Sequence, residues 1–215
     1  MLASLLIASC GDSGGEAAWT DADCVRIAIR DAATGKSVVG IEDMDHDPSG
    51  DGVFLSAYDR IAVERAVDNG EAPPSGGLYH LPMGVLGEPP AEIALDNLAA
   101  ALGSDRDFHP HGMAVLATGP DAGLLAVLNR RYDIDDAASP GADMVTVLEL
   151  FAIEGATISH RHAVRHPLLC NGNDLAFLNP DELVFTRDHD RCTQVGRALE
   201  DAAGAFGFGS GQVVL

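Results

Sequence analysis

Apolar residues come in short runs along this chain, many of them β-branched or aromatic, and Gly, Pro, Asn and Asp stand between the runs. This pattern predicts strands near 24–30 (CVRIAIR), 52–58 (GVFLSAY), 77–81 (GLYHL), 112–118 (GMAVLAT) and 123–129 (GLLAVLN). Further strands are predicted near 145–153 (VTVLELFAI), 156–164 (ATISHRHAV), 174–178 (DLAFL) and 182–188 (ELVFTRD). The fourth and fifth runs are joined by GPDAG, and the sixth and seventh turn at Glu154-Gly155, so both pairs read as hairpins. Helical periodicity is confined to two short stretches, Ile93 to Leu102 and Gly196 to Ala203. The fold class expected is all-β: a propeller, barrel or sandwich. No strict repeat is visible, but units of about 40–50 residues match the spacing of propeller blades.

The stretch GIEDMDHDPSGDGVFLSAYDR places Asp43, Asp45 and Asp47 at every second position. A calcium-binding helix–loop–helix needs Gly at loop position 6 and Glu at position 12. Counted from Asp43, those positions hold Pro48 and Phe54, so that motif is rejected. The acids are expected to precede a hairpin strand, with PSGDG as a tight turn.

Composition narrows the function classes. The 215 residues include 33 acids against 13 lysines and arginines, a formal charge of −20. Such a balance opposes a phosphate-tracking surface, and nucleic acid is not expected as a partner. A hydrophobic content of 47% supports a packed core. At the N-terminus, a short apolar run ends in Ile7-Ala8-Ser9-Cys10, which resembles the bacterial lipoprotein cleavage box. Residues 1–10 are then a signal peptide with Cys10 as the lipidation site, and 11–22 a flexible linker. The alternative is an ordinary secretory signal. Either places the mature chain in the cell envelope or outside the cell, with membrane contact only through the lipid anchor, where disulfides persist. Cys24, Cys170 and Cys192 remain; Cys170 and Cys192 can pair, or all can be free.

Four stretches combine acids, amides or histidines with strand ends. They are Gly40-Ile-Glu-Asp-Met44, Pro110-His-Gly-Met113, the run from His166 to Asp174, and Thr186-Arg-Asp-His189. Their order and spacing, from Cys24 to the C-terminus, resemble the paraoxonase and arylesterase family, calcium-dependent six-bladed β-propellers. Residues 23–215 then form the N-terminal part of such a propeller. The apolar finish GSGQVVL leads us to expect an incomplete one, about half the blades.

The resemblance implies two calcium ions. A structural ion would use Asp43, the main-chain carbonyl of Met113, and Asp174. A catalytic ion would use Glu42 and Asn173, with further ligands from blades beyond this chain. Cys24 matches a family cysteine that staples the first strand to the last, and its partner would lie beyond Leu215. The activity implied is hydrolysis of a small ester or lactone: calcium polarises the carbonyl and a histidine-activated water attacks. His111 matches the family's proposed base, and His189, with Asp188 beside it, a second tunnel histidine. The other dyad histidine of the family falls at Arg130, which cannot act as a base.

The remaining polar residues carry plainer expectations. Asp45, Asp47, His46 and His109 read as solvated loop residues, and Trp19 as an anchor at the start of the domain. His160, His162 and His166 would share one face of a strand, but no cysteine or acid joins them at zinc spacing. Two function classes follow: a calcium-dependent esterase or lactonase, and a non-catalytic calcium-stabilised module that binds a ligand or protein. The chain by itself is expected to show little or no activity.

Overall fold

The structure is a computed structural model that describes residues 27–86, 92–102, 107–119, 122–132, 144–209 and 211–215. Cys10, Trp19, Cys24 and the segments 1–10 and 11–22 lie outside the described residues.

Among the described residues strand is the main element, 47% against 18% helix, in several sheets none of which closes, and the all-β expectation fits. Strands β2 (Ile41–His46), β3 (Gly52–Ala57) and β4 (Gly77–Pro82) form one meander. Strands β6 (Pro110–Leu116), β7 (Leu124–Arg131), β8 (Val145–Glu154) and β9 (Thr157–Val164) form the second. Strands β10 (Gly172–Asn179), β11 (Glu182–Arg187) and β12 (Gln212–Val214) form the third. A parallel pair, β1 (Ala28–Asp31) with β5 (Glu92–Leu95), lies apart from them in register.

These sheets pack face to face, and alternation along each strand assigns side chains to successive layers. Leu55, Tyr79 and Leu81 pack toward Ile29, Ile93 and Leu95 of the parallel pair. Phe54 and Leu78 point the other way, onto Met113, Leu125, Val127 and Phe151 of the second sheet. The next residues along, Ala114, Ala126 and Leu128, meet Leu175 and Phe185 of the third sheet. Inner strands such as β3 are therefore buried on both faces and read as continuous apolar runs rather than alternating ones.

Two sequence expectations about elements are corrected. The Ile93–Leu102 stretch is not a helix: residues 92–95 are β5, and a 3-10 turn covers Leu98–Leu102. Its Ala/Leu content favours helix, but Ile93 and Leu95 are claimed by the apolar layer beside β1. The acids of 41–46 do not merely precede a hairpin; they lie on β2, which pairs with β3 from Ile41↔Ala57 to His46↔Val53. Helix α1 (Arg60–Asp68), capped by Asp59 accepting from the Ala62 amide, was not anticipated. The second predicted helix is present as α2 (Gln194–Gly204), capped by Thr193. No helix among the described residues is long and apolar enough to cross a membrane.

Candidate functional site

The first strands of the three meanders, β2, β6 and β10, run beside one another, with β6 in the middle. Gly112 permits the approach of β6 to β10: a Cβ there would stand 2.3 Å from the Asn173 carbonyl oxygen and 2.6 Å from the Asp174 Cα. Gly40, at φ 63°, has the matching role at the start of β2, where a Cβ would meet the Tyr58 carbonyl oxygen at 2.1 Å.

Across the β2–β6 seam, side-chain carboxylates replace a backbone ladder. The Met113 amide donates to Asp43 Oδ2 at 2.7 Å, and the Val115 amide to Asp45 Oδ2 at 2.6 Å. Asp45 is therefore a tie between sheets, not a solvated loop acid. Asp47 is likewise corrected: it is buried, caps the Ser49 amide, and meets His80 Nε2 at 2.8 Å. Burial opposes ionisation of Asp47, but the Ser49 bonds and the His80 contact outweigh it and hold its carboxyl below the usual range. His46 is exposed, as expected.

Asp43 and Asp174 adjoin. Burial pushes the Asp43 carboxyl up, the Met113 and Met44 amides pull it back, and the Asp174 carboxylate adds to the rise. Asp43 is half-buried and Asp174 exposed, and two adjoining carboxylates are the hard-oxygen donor type that a divalent cation takes.

His111, on β6, stands at the same seam. Its Nε2 meets Asn173 Oδ1 at 2.7 Å. Its Nδ1 lies 3.1 Å from Glu42 Oε2, yet is buried with no hydrogen bond. Ser56 Oγ donates to the His111 carbonyl at 2.6 Å and fixes the backbone. Burial, followed by the Arg130 charge, lowers the His111 pKa to about 4 against the pull of Asn173. The neutral ring then donates Nε2–H to Asn173 and turns an unshared Nδ1 pair toward the Glu42 carboxylate. Two acceptors in that position repel unless a proton or cation stands between them. Glu42, Asp43, His111, Met113, Asn173 and Asp174 are thus brought to one seam. No three His, Cys, Asp or Glu side chains among the described residues converge on one point.

His189 is not part of that group. Its Nε2 pairs with Asp201 Oδ1 of α2 at 2.8 Å, and it lines a cavity of about 420 Å³ with Arg130 and Asp188. Arg130 donates from Nη2 to the Gly172 carbonyl at 3.3 Å and lies 3.5 Å from Asp188 Oδ2. Cys170 and Cys192 form a disulfide, which settles the pairing left open by the sequence. Asn171, at φ 55°, donates to the Arg191 carbonyl at 2.8 Å and holds the 188–193 loop over the cavity.

His109 is corrected from an exposed loop residue to a fully buried one. Its Nδ1 meets the Arg130 carbonyl at 2.8 Å and its Nε2 the Pro74 carbonyl at 3.1 Å. The histidine run does not share a face either. His160 pairs with the buried Glu149 at 2.8 Å, the β8–β9 register shifts between His160 and His162, and His166 caps a 3-10 turn beyond β9. Ser56, Asp45 and His80 were not legible as site residues, because their partners lie 55, 70 and 33 positions away.

No family model matches the chain, and no curated protein matches it.

Proposed function

We propose that the three meanders are blades of a six-bladed β-propeller of the paraoxonase and arylesterase type, with the first strand of each blade facing the axis. In this reading the protein is a calcium-dependent hydrolase of small esters or lactones. The observation that carries it is the β2–β6–β10 seam, where Glu42 faces the unshared Nδ1 of His111 and Asp43 adjoins Asp174. The ordered motifs of the sequence support it from a separate direction.

Asp43, Asp174 and the Met113 carbonyl would hold a structural calcium ion, and Glu42 with Asn173 part of a catalytic one. A calcium ion held by Glu42 and Asn173 would supply Lewis-acid polarisation of a substrate carbonyl. His111 would accept the proton of the attacking water at Nδ1, and Glu42 would stabilise the resulting imidazolium from 3.1 Å. Asn173 holds Nε2 and with it the ring orientation. Ser56 positions the strand through the His111 carbonyl. We further propose that Cys10 carries a lipid anchor in the bacterial envelope.

A second reading, a non-catalytic calcium-stabilised binding module, is favoured by one observation. Arg130 stands where the resemblance would put the family's second histidine, and burial, followed by the Arg130 charge, depresses the His111 pKa, which weakens it as a base. The test is hydrolysis of phenyl acetate and a γ-lactone by the full-length gene product, with calcium and then with excess chelator. Chelator-sensitive turnover is the expected result. No turnover, with a calcium-dependent melting temperature, would replace the hydrolase by the binding module.

A further inference from the structure

We propose that the Cys170–Cys192 disulfide is a thiol-reducible latch, which holds the 188–193 loop and α2 in place beside the Arg130 cavity and frees them when it opens. This holds whether or not the protein is a hydrolase.

The bond joins two unlike regions. Cys170 and Asn171 are buried at the entry to β10. Cys192 is half-buried, and between Asp188 and Gly204 only Gly196 is buried. That segment is held together by polar contacts with itself. The Asp190 and Arg191 amides donate to the Glu200 carboxylate at 3.0 and 3.1 Å, and Arg197 Nη1 donates to the Cys192 carbonyl at 3.1 Å. Bonds from the body of the protein come from the neighbours of Cys170: Asn171 donates to the Arg191 carbonyl at 2.8 Å, and Arg187 Nη2 to the Asp190 carbonyl at 2.7 Å. A segment with so few buried apolar contacts opens at low cost once its covalent tie is cut.

The surroundings of the Cys170 sulfur set the direction of that cut. Asn171 Nδ2 donates to it at 3.2 Å, and Arg187 Nη2 reaches it at 3.6 Å. The Arg187 side chain is 5% exposed. Its further acceptors are the Cys170 carbonyl at 3.0 Å, Gln212 Oε1 at 3.3 Å and Asp190 Oδ1 at 3.4 Å. Of these acceptors only the Asp190 carboxylate is charged, and its side chain is 59% exposed. A disulfide sulfur is a weak acceptor and makes little use of a buried guanidinium, whereas a thiolate pairs with it as an ion. Arg187 and Asn171 therefore suit the reduced Cys170 better than the oxidised one. A neighbouring cation favours the thiolate, and the sulfur that is the more stable thiolate leaves the faster in exchange.

The exchange is then ordered. The thiolate of a small thiol attacks Cys192 Sγ, the more accessible sulfur; the S–S bond breaks and its electron pair leaves on Cys170, facing Arg187. A second thiol molecule attacks the sulfur of the first, releases Cys192 as a thiol and departs as the small-molecule disulfide. Two thiols are oxidised, one protein disulfide is reduced by two electrons, and the proton not retained by Cys170 goes to water.

The test uses the oxidised full chain with glutathione as reductant, quenched by iodoacetamide at intervals and read by peptide mapping. The transient glutathione adduct is expected on Cys192 with Cys170 alkylated, and Arg187→Gln should slow the exchange about tenfold. On reduction, hydrogen exchange across 188–204 should rise tenfold or more while β7 and β8 keep their protection. The adduct on Cys170, equal rates in the two proteins, or unchanged exchange across 188–204 would each overturn the latch. Should Arg187→Gln fail to fold, the pH profile of alkylation at Cys170 in the reduced parent decides. Its midpoint is expected below the ordinary cysteine value of about 8.5, and a midpoint at or above that value would overturn the role given to Arg187.

Discussion

Asp43 accepts the amide proton of Met113 at 2.7 Å, and this is one of the bonds that tie the first sheet to the second, at the point where Asp174 of the third arrives. The same carboxylate thus belongs to the packing of three sheets and to the candidate metal set. Without a cation, its partly buried charge and its acidic neighbour oppose each other.

Calcium should therefore stabilise the parent chain through Asp43. At a hundredfold excess over Kd, a melting-temperature rise of about 5–10 °C is expected by scanning calorimetry. Asp43→Asn should lose most of that response while melting no lower than the parent in chelator. A calcium response that persists in Asp43→Asn would remove this residue from the metal set.

The acid side of the stability profile should carry the signature of His111 in chelator. Its pKa lies at about 4 in the fold against 6.5 outside it, so the unfolded chain binds the proton first. Its contribution is neutral above 6.5 and destabilises progressively as pH falls from 6.5 toward 4. His111→Gln should flatten that part of the curve in a melting series. An unchanged slope would show that burial does not depress His111.

Asp47 should act in the opposite sense. Its pKa is held below the usual value of 3.8, so its stabilisation is present above that value and lost as pH falls through the lowered one. Asp47→Ala would leave His80 and the Ser49 amide without their acceptor. A loss of about 1–3 kcal/mol at neutral pH, read by urea melting, is expected. A difference that survives undiminished below the lowered pKa would contradict the assignment.

Gly112→Ala tests the seam directly. The new Cβ would meet backbone atoms of Asn173 and Asp174 at 2.3 and 2.6 Å, which no side-chain rotation relieves. A destabilisation of about 1–3 kcal/mol or more is expected, with loss of the calcium response. Normal stability would mean that β6 and β10 stand further apart.

The Cys170–Cys192 disulfide closes a separation of 22 residues and holds the loop that covers the Arg130 cavity. Reduction should cost about 3 kcal/mol by the loop-entropy estimate. Equal melting curves with and without reductant would show the bond absent in solution.

Strand runs were readable because each is a local property. Leu125 to Leu128 are apolar at every position, and Gly155 marks the β8–β9 turn by its φ of 64°. Helix α1 escaped notice because only Val63 and Ala66 are buried on it, too few for a visible stripe. The 92–102 stretch misled because helix propensity is local, whereas its pairing with β1 is made across more than sixty positions. His109 looked like a loop residue because nothing near it in sequence announces that Pro74 and Arg130 will supply acceptors for both ring nitrogens.

By itself the sequence determined the all-β class, the hairpins at 112–129 and 145–164, and a set of acids and histidines to consider as site candidates. The periodicity of burial and the chemistry of Asp, Asn and Gly at turns are written residue by residue. Only the tertiary structure decided which of those groups meet. It set Asp43 against Met113 and Asp174, His111 between Glu42 and Asn173, and His189 away from them with Asp201. Those contacts depend on the stacking of three sheets, and a side chain acquires a partner there only after the layers have packed.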